Sequence, residues 1–324
     1  MATARLLLPV TLLLTSLSRA WCTTFTLTNS CAYTVWPGLL SSAGSPPLAT
    51  TGFALAPGES RAVDAPAAWS GRIWGRTLCG ADAASGRFAC ATGDCGSGTV
   101  ECGGGGAAPP TTLAEFTLNG AGGNDFYDVS LVDGSNLPMV VGPQGGAGGA
   151  TGCLVDLNGP CPAELKVAGA EGAGIACKSA CEAFGRPEDC CSGAFSSPAT
   201  CQPSAYSQFF KNACPRAYSY AYDDATSTFT CTSGSVSYLV IFCPSISSLK
   251  SSVGGSTNPS TSGLPLINDT VSFLNRGGGS NGNGGYYDAS SSASLTASGP
   301  LLSHAGAAVL AWLCTARGRH WLPW

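Results

Sequence analysis

In the central part of the chain, apolar and polar residues alternate in short runs with a period of two, the pattern of strands with one buried face. Such runs are Thr23 to Thr28, Tyr33 to Trp36, Phe53 to Leu55, Thr112 to Leu118, Phe126 to Val132, Thr228 to Cys231 and Val236 to Phe242. Gly, Pro and Asn residues punctuate them, so the chain turns between runs. Short strands at regular spacing predict a mainly β fold built as a sandwich. A helical period occurs in Cys177 to Phe184 and in Pro203 to Ala213, where Tyr206, Phe209, Phe210 and Ala213 share one face. An aromatic stripe of this kind is expected to pack rather than to form a site. The length allows one sizeable β domain with a smaller loop-and-helix domain inserted.

Two of these runs face each other across a short loop. In Thr112 to Leu118 the alternation puts Ala114, Phe116 and Leu118 on one side and Leu113, Glu115 and Thr117 on the other. In Asp125 to Val132 it separates Tyr127, Val129 and Leu131 from Phe126, Asp128, Ser130 and Val132. With Asn119 to Asn124 as the loop, Phe116 opposes Tyr127 on the apolar side and Glu115 opposes Asp128 on the other. Directly opposed residues have Cβ atoms about 4.5–5.5 Å apart, and like charges so placed destabilise a sheet. An arginine, a bound cation or a proton retained through a raised carboxyl pKa would offset that cost, and the last is what a general acid needs. Close carboxylate pairs are the machinery of glycoside hydrolysis. An exposed pair relieved by an arginine, with no reaction, is the structural alternative.

Cysteine changes the picture most. The chain of 324 residues has 17, of which 15 lie between Cys31 and Cys243. That density points to disulfides and an oxidising compartment. The two histidines, His304 and His320, lie far downstream, so neither a Cys/His zinc site nor a Ser-His-Asp triad is expected in the core, and no metal or cofactor is implied. One charge at Arg5, an apolar run from Leu6 to Leu17 and small residues before Trp21 read as a signal peptide over 1–20. The protein is therefore expected to be secreted, outside the cell.

Charge and composition divide what remains. Residues 21–250 carry ten Lys/Arg against seventeen Asp/Glu, and 251–324 carry three against two. An acidic core lacks the basic stripe that nucleic acid requires. The Ser/Gly/Asn-rich stretch 251–299 reads as a linker, with a glycosylation sequon at Asn268. Residues 300–324 are apolar and then basic. Leu301 to Leu313 raises a glycosylphosphatidylinositol signal, whereas the basic end and a clean run of only Ala305 to Leu313, against the roughly 20 residues of a spanning helix, favour a soluble tail.

The segment Gly86-Arg87-Phe88-Ala89-Cys90-Ala91-Thr92-Gly93-Asp94-Cys95-Gly96-Ser97-Gly98-Thr99-Val100-Glu101-Cys102 resembles the signature of the thaumatin-like family of plant defence proteins, of osmotin and thaumatin type. The resemblance runs from Thr24 to Pro244 and includes Asn29 to Pro37, Ser130 to Gly134, Glu188 to Cys191, and Tyr218-Ser219-Tyr220 with Asp223-Asp224. It implies a flattened β-sandwich over 21–250 with disulfide-rich segments near 77–110 and 155–214 and an acidic cleft. It also implies that Arg72, Glu115, Asp128, Asp133 and Asp224 line that cleft, with Glu115 as proton donor and Asp128 as second carboxylate if the protein hydrolyses β-1,3-glucan.

Seven family bridges carry over by resemblance: Cys31–Cys243, Cys79–Cys90, Cys95–Cys102, Cys153–Cys214, Cys161–Cys177, Cys181–Cys190 and Cys191–Cys201. The eighth lacks a partner because Gly148 stands where the family has cysteine, leaving Cys231 single. Cys22 or Cys314 could substitute, or Cys231 is a buried thiol, the expectation favoured here. Two functions follow from the resemblance, a monomeric antifungal protein that binds wall β-1,3-glucan or another cell-wall polysaccharide or perturbs fungal membranes, and a weak endo-β-1,3-glucanase; the tail alone suggests a third, a cell-surface recognition module.

Overall fold

The computed structural model describes residues 23–146, 148–232 and 236–244. The signal peptide over 1–20, Cys22, the linker 251–299 with Asn268, the tail 300–324 and Cys314 lie outside the described residues. The strands are β1 (Thr23–Asn29), β2 (Trp36–Ser41), β3 (Ser60–Ala65), β4 (Ser70–Ala81), β5 (Phe88–Thr92), β6 (Leu113–Thr117), β7 (Asn124–Ser130), β8 (Met139–Gln144), β9 (Thr151–Cys153), β10 (Lys166–Ala168), β11 (Gly174–Cys177), β12 (Phe229–Thr232) and β13 (Ser237–Phe242). The helices are α1 (Ala180–Phe184), α2 (Ala205–Ala213) and α3 (Asp224–Ser227).

The strands form two main sheets. The first runs β3-β1-β13-β8-β9, and its one parallel pairing joins β1 to β13. The second runs β12-β7-β6-β4-β2, with β5 paired to the far part of β4, and β10 pairs with β11 as a separate ribbon. Alternation supplies the core. Phe25, Leu27, Tyr238 and Val240 from the first sheet meet Ala114, Phe116, Tyr127 and Val129 from the second, all buried. Ring centroids lie 4.6 Å apart for Phe25 and Phe116, 5.3 Å for Phe116 and Tyr238, and 5.1 Å for Tyr127 and Tyr238. These distances fall in the range where tilted aromatic pairs add to the stabilisation of burial.

The helices follow their sequence signals. Ser179 Oγ accepts from the Glu182 amide and Gly185 closes α1 at a φ of 63° that glycine adopts without strain. Ser204 caps α2 in the same way. On α2 Phe210 is buried while Tyr206, Phe209 and Ala213 pack partly against the core. Two expected strands differ. The run Tyr33 to Trp36 contributes only a bridge between Val35 and Leu55, and the strand begins at Trp36; Phe53 to Leu55 forms no more than that same bridge. The longest strand, β4, carries no alternating signal because Gly71, Gly75 and Gly80 interrupt it.

Seven disulfides cross-link the described residues: Cys31–Cys243, Cys79–Cys90, Cys95–Cys102, Cys153–Cys214, Cys161–Cys177, Cys181–Cys190 and Cys191–Cys201. Cys231 is a free thiol, 2% exposed. Of Gly146 and Gly148, the first would place a Cβ 2.6 Å from the Cys231 sulfur, while a Cβ at Gly148 would meet Tyr127 Oη at 2.7 Å instead. Gly146→Cys is therefore expected to close an eighth bridge. Thiol titration of the denatured protein should then find one free thiol fewer than in the parent, with a raised melting temperature; one thiol more would mean that no bridge formed.

Candidate functional site

Three neighbouring strands of the second sheet place one file of charged side chains. Arg72 on β4 lies opposite Glu115 on β6, and Glu115 lies opposite Asp128 on β7. Phe116 opposes Tyr127 on the buried face, which is the register expected from the hairpin's alternation. Because successive side chains of a strand point to opposite faces, burying Ile73, Ala114 and Val129 in the core obliges Arg72, Glu115 and Asp128 to point the other way.

Two turns add the remaining carboxylates. Asp133 follows β7 in a turn that Gly134 closes at a φ of 84°, where any Cβ would strike the Cys177 carbonyl at 2.5 Å. The Thr111 amide donates to the Asp133 carbonyl at 2.9 Å and holds this turn in place. Asp223 and Asp224 divide the second turn between them. Asp223 is tied down, accepting from Ser219 N and Ser219 Oγ at 3.0 Å and pairing with Lys211 Nζ at 2.8 Å. Asp224 accepts instead from Tyr218 Oη at 2.7 Å. Tyr218 also makes a short contact with Thr228 Oγ1. Its backbone pairs with β7 on both sides, Tyr218 N donating to the Val129 carbonyl at 2.9 Å and Leu131 N to the Tyr218 carbonyl at 2.8 Å. Sequence reasoning placed Tyr218 in a motif but gave it no role; its place six residues before Asp224 was the available signal.

The side chains open on one solvent-filled cavity of about 350 Å³. Arg72, Glu115, Asp128, Asp133 and Asp224 all line it, and Leu113, Ser130, Val132, Tyr218 and Ala221 complete the wall. Four carboxyls against one guanidinium make it strongly polar. Among the described residues no group of three or more His, Cys, Asp or Glu side chains converges closely enough to hold a metal ion.

The two central carboxyls have different surroundings. Arg72 Nε lies 3.8 Å from Glu115 Oε1, and the Glu115 side chain is 37% exposed. Burial raises the Glu115 pKa, Arg72 pulls it back, and Asp133 raises it again. Among the described residues Asp128 has no cation in contact, and its buried Oδ1 has no hydrogen-bond partner. Burial, then the charges of Glu115 and Asp224, push its pKa up to about 8. A carboxyl without donors to stabilise its charge keeps its proton. Of the three ways to offset opposed carboxylates, an arginine and a retained proton both operate, one on each member of the pair.

The thaumatin family model matches residues 29–244. A protein named thaumatin-like protein 1 from Arabidopsis thaliana is 58% identical over 231 residues, covering 69% of this chain and 86% of its own. Another thaumatin-like protein 1, from Prunus persica, is 58% identical over 243 residues, covering 74% and 98%. A Prunus avium protein named glucan endo-1,3-beta-glucosidase is 51% identical over 246 residues, covering 75% of this chain and all of its own.

The raised pKa of Asp128 links stability to pH. In the unfolded chain an aspartate loses its proton near about 3.9, while in the folded protein Asp128 keeps it to about 8. Between those values the folded state binds more protons, so unfolding free energy falls as pH rises. Melting curves from pH 5 to pH 8 should show a declining melting temperature, and Asp128→Asn should flatten the decline and melt higher at pH 8. An unchanged slope in the variant would mean that Asp128 is ionised throughout.

Proposed function

The chain belongs to the thaumatin family, and we propose that it is a secreted plant defence protein whose carboxylate-lined cavity binds β-1,3-glucan of fungal cell walls. The observation that carries this reading is the convergence of Glu115, Asp128, Asp133 and Asp224 with Arg72 on a single open cavity. Carboxylates accept strong hydrogen bonds from hydroxyl groups, and a neutral polyol supplies many donors in fixed geometry. Anionic ligands are disfavoured by a local excess of negative charge. The named glucosidase among the relatives agrees with a β-1,3-glucan ligand. In this reading Asp133 and Asp224 hold sugar hydroxyls, and Tyr218, through its bond to Asp224, positions that carboxylate.

Slow hydrolysis is a second reading, supported by the division of charge between Glu115 and Asp128. Asp128, protonated near neutral pH, would give its proton to the glycosidic oxygen as the bond to the anomeric carbon breaks. Glu115, whose pKa burial raises and the neighbouring Arg72 draws back down, would in its ionised form act as nucleophile or draw a proton from the attacking water. This reverses the roles expected from the sequence, where Glu115 was the donor. The reason is physical: the arginine favours charge on Glu115 and nothing comparable favours it on Asp128.

Retention of the purified secreted protein on insoluble β-1,3-glucan, with analysis of the soluble products, tests both readings. The parent should be retained, and Glu115→Gln should weaken retention by about tenfold, the scale of one charged hydrogen bond. Oligosaccharides released by the parent and absent with Asp128→Asn would establish hydrolysis. Failure of the parent to bind the polymer would overturn the glucan reading.

A further inference from the structure

Beside the main cavity lies a second one of about 140 Å³. Arg72, Glu115 and Asp128 form the wall between the two and line both. The far side is made by Ser42, Ser70, Thr117 and Phe126.

The sheet accounts for this arrangement. Two residues along from the file of Arg72, Glu115 and Asp128 comes a second file on the same three strands, in which Ser70 pairs with Thr117 and Thr117 pairs with Phe126. Successive side chains on one face are about 7 Å apart along a strand, so the two files lie side by side. Their chemistry differs. The first is charged; the second has no ionisable group and consists of hydroxyls beside one half-buried phenyl ring. Ser70 Oγ donates to Ser42 Oγ at 3.4 Å and lies 3.4 Å from Thr117 Oγ1, long contacts that leave hydroxyl capacity unused. Phe126 also covers the hairpin loop, since a Cβ on Gly120 would stand 3.1 Å from its ring.

A phenyl face flanked by hydroxyls suits a pyranose ring, which presents C–H groups on its faces and hydroxyls around its edge. The geometry points to a second sugar subsite formed by Phe126, Thr117, Ser70 and Ser42, so that a neutral hexose chain runs along β4, β6 and β7 from the charged file onto the uncharged one. This inference rests on the polysaccharide reading above. It makes Phe126 the residue that determines how chain length affects affinity. The first two hexose units fill the larger cavity with the carboxylates, and a further unit stacks on the ring.

Calorimetric titration of the full secreted protein with β-1,3-linked glucose oligomers of two and six units tests it. The parent should bind the hexamer markedly more tightly than the dimer. Phe126→Leu, which keeps an apolar cover over the hairpin loop, should lose about tenfold in affinity for the hexamer, the scale of one aromatic contact, with the dimer changed less than about twofold. Phe126→Trp should retain the hexamer, a rescue that a purely structural role would not give. An undiminished preference for the hexamer in Phe126→Leu overturns the subsite and leaves the glucan reading standing. No binding of either oligomer by the parent overturns both.

Discussion

The register of β6 against β7 is the constraint on which the site depends. A strand alternates its faces with every residue, so a slip of one position would turn Glu115 and Asp128 into the space between the sheets and bring Phe116 and Tyr127 out. The apolar side enforces the register. Phe116, Tyr127, Phe25 and Tyr238 form a contiguous set of ring contacts, and two of these rings are fixed at their polar ends. Tyr127 Oη donates to the Gly149 carbonyl at 2.7 Å, and Tyr238 Oη donates to Asp125 at 2.9 Å. The other oxygen of Asp125 accepts from the Asn119 amide at the start of the hairpin loop. Packing on one face thus determines which carboxylates face each other on the opposite one.

That arrangement runs against local stability. Opposed carboxylates on neighbouring strands repel, and burying Asp128 without a hydrogen bond to Oδ1 adds to the cost. Arg72 relieves one member of the pair, and protonation relieves the other. What remains is borne by the surroundings: a two-sheet core and seven disulfides among the described residues. A rigid frame that tolerates a locally unfavourable cluster is the usual physical setting of a binding or catalytic site.

The hairpin was legible in the sequence because its two runs alternate cleanly and its loop is short, which together fix both the pairing and the unusual meeting of two acids. The longest strand was not. In β4 the glycines erase the pattern, and the structure shows what they are for: a Cβ at Gly71 would lie 2.3 Å from the Leu40 carbonyl and 2.4 Å from the Trp69 ring, and one at Gly75 would lie 2.7 Å from Leu137. Close approach of neighbours excludes side chains there, and with them the signal that strand prediction uses. The body of β2 was missed for a similar reason, since the expected run stops at Trp36 while the strand continues through Pro37 and Gly38, with Gly38 against the Trp74 ring. Arg72 sits on β4, so its place in the cluster came only from family resemblance. The choice of Asp224 over Asp223 likewise came only from family resemblance, because adjacent identical residues differ only in which way the turn points them.

The parallel pairing of β1 with β13 has a consequence for how the chain assembles. In the first sheet β13 lies between the β3-β1 pair and the β8-β9 pair, yet it is the last of the thirteen strands to be synthesised. Until it arrives the sheet exists as two unconnected halves. Bridges of short span, from 7 to 16 residues apart, can close locally in the meantime, whereas Cys31 must wait through 212 residues for Cys243. Loop closure on that scale is entropically slow, and pairings of this range delay folding. The order of strands along the chain thus makes the arrival of β13, and not that of β1, the moment at which the two halves of this sheet can join.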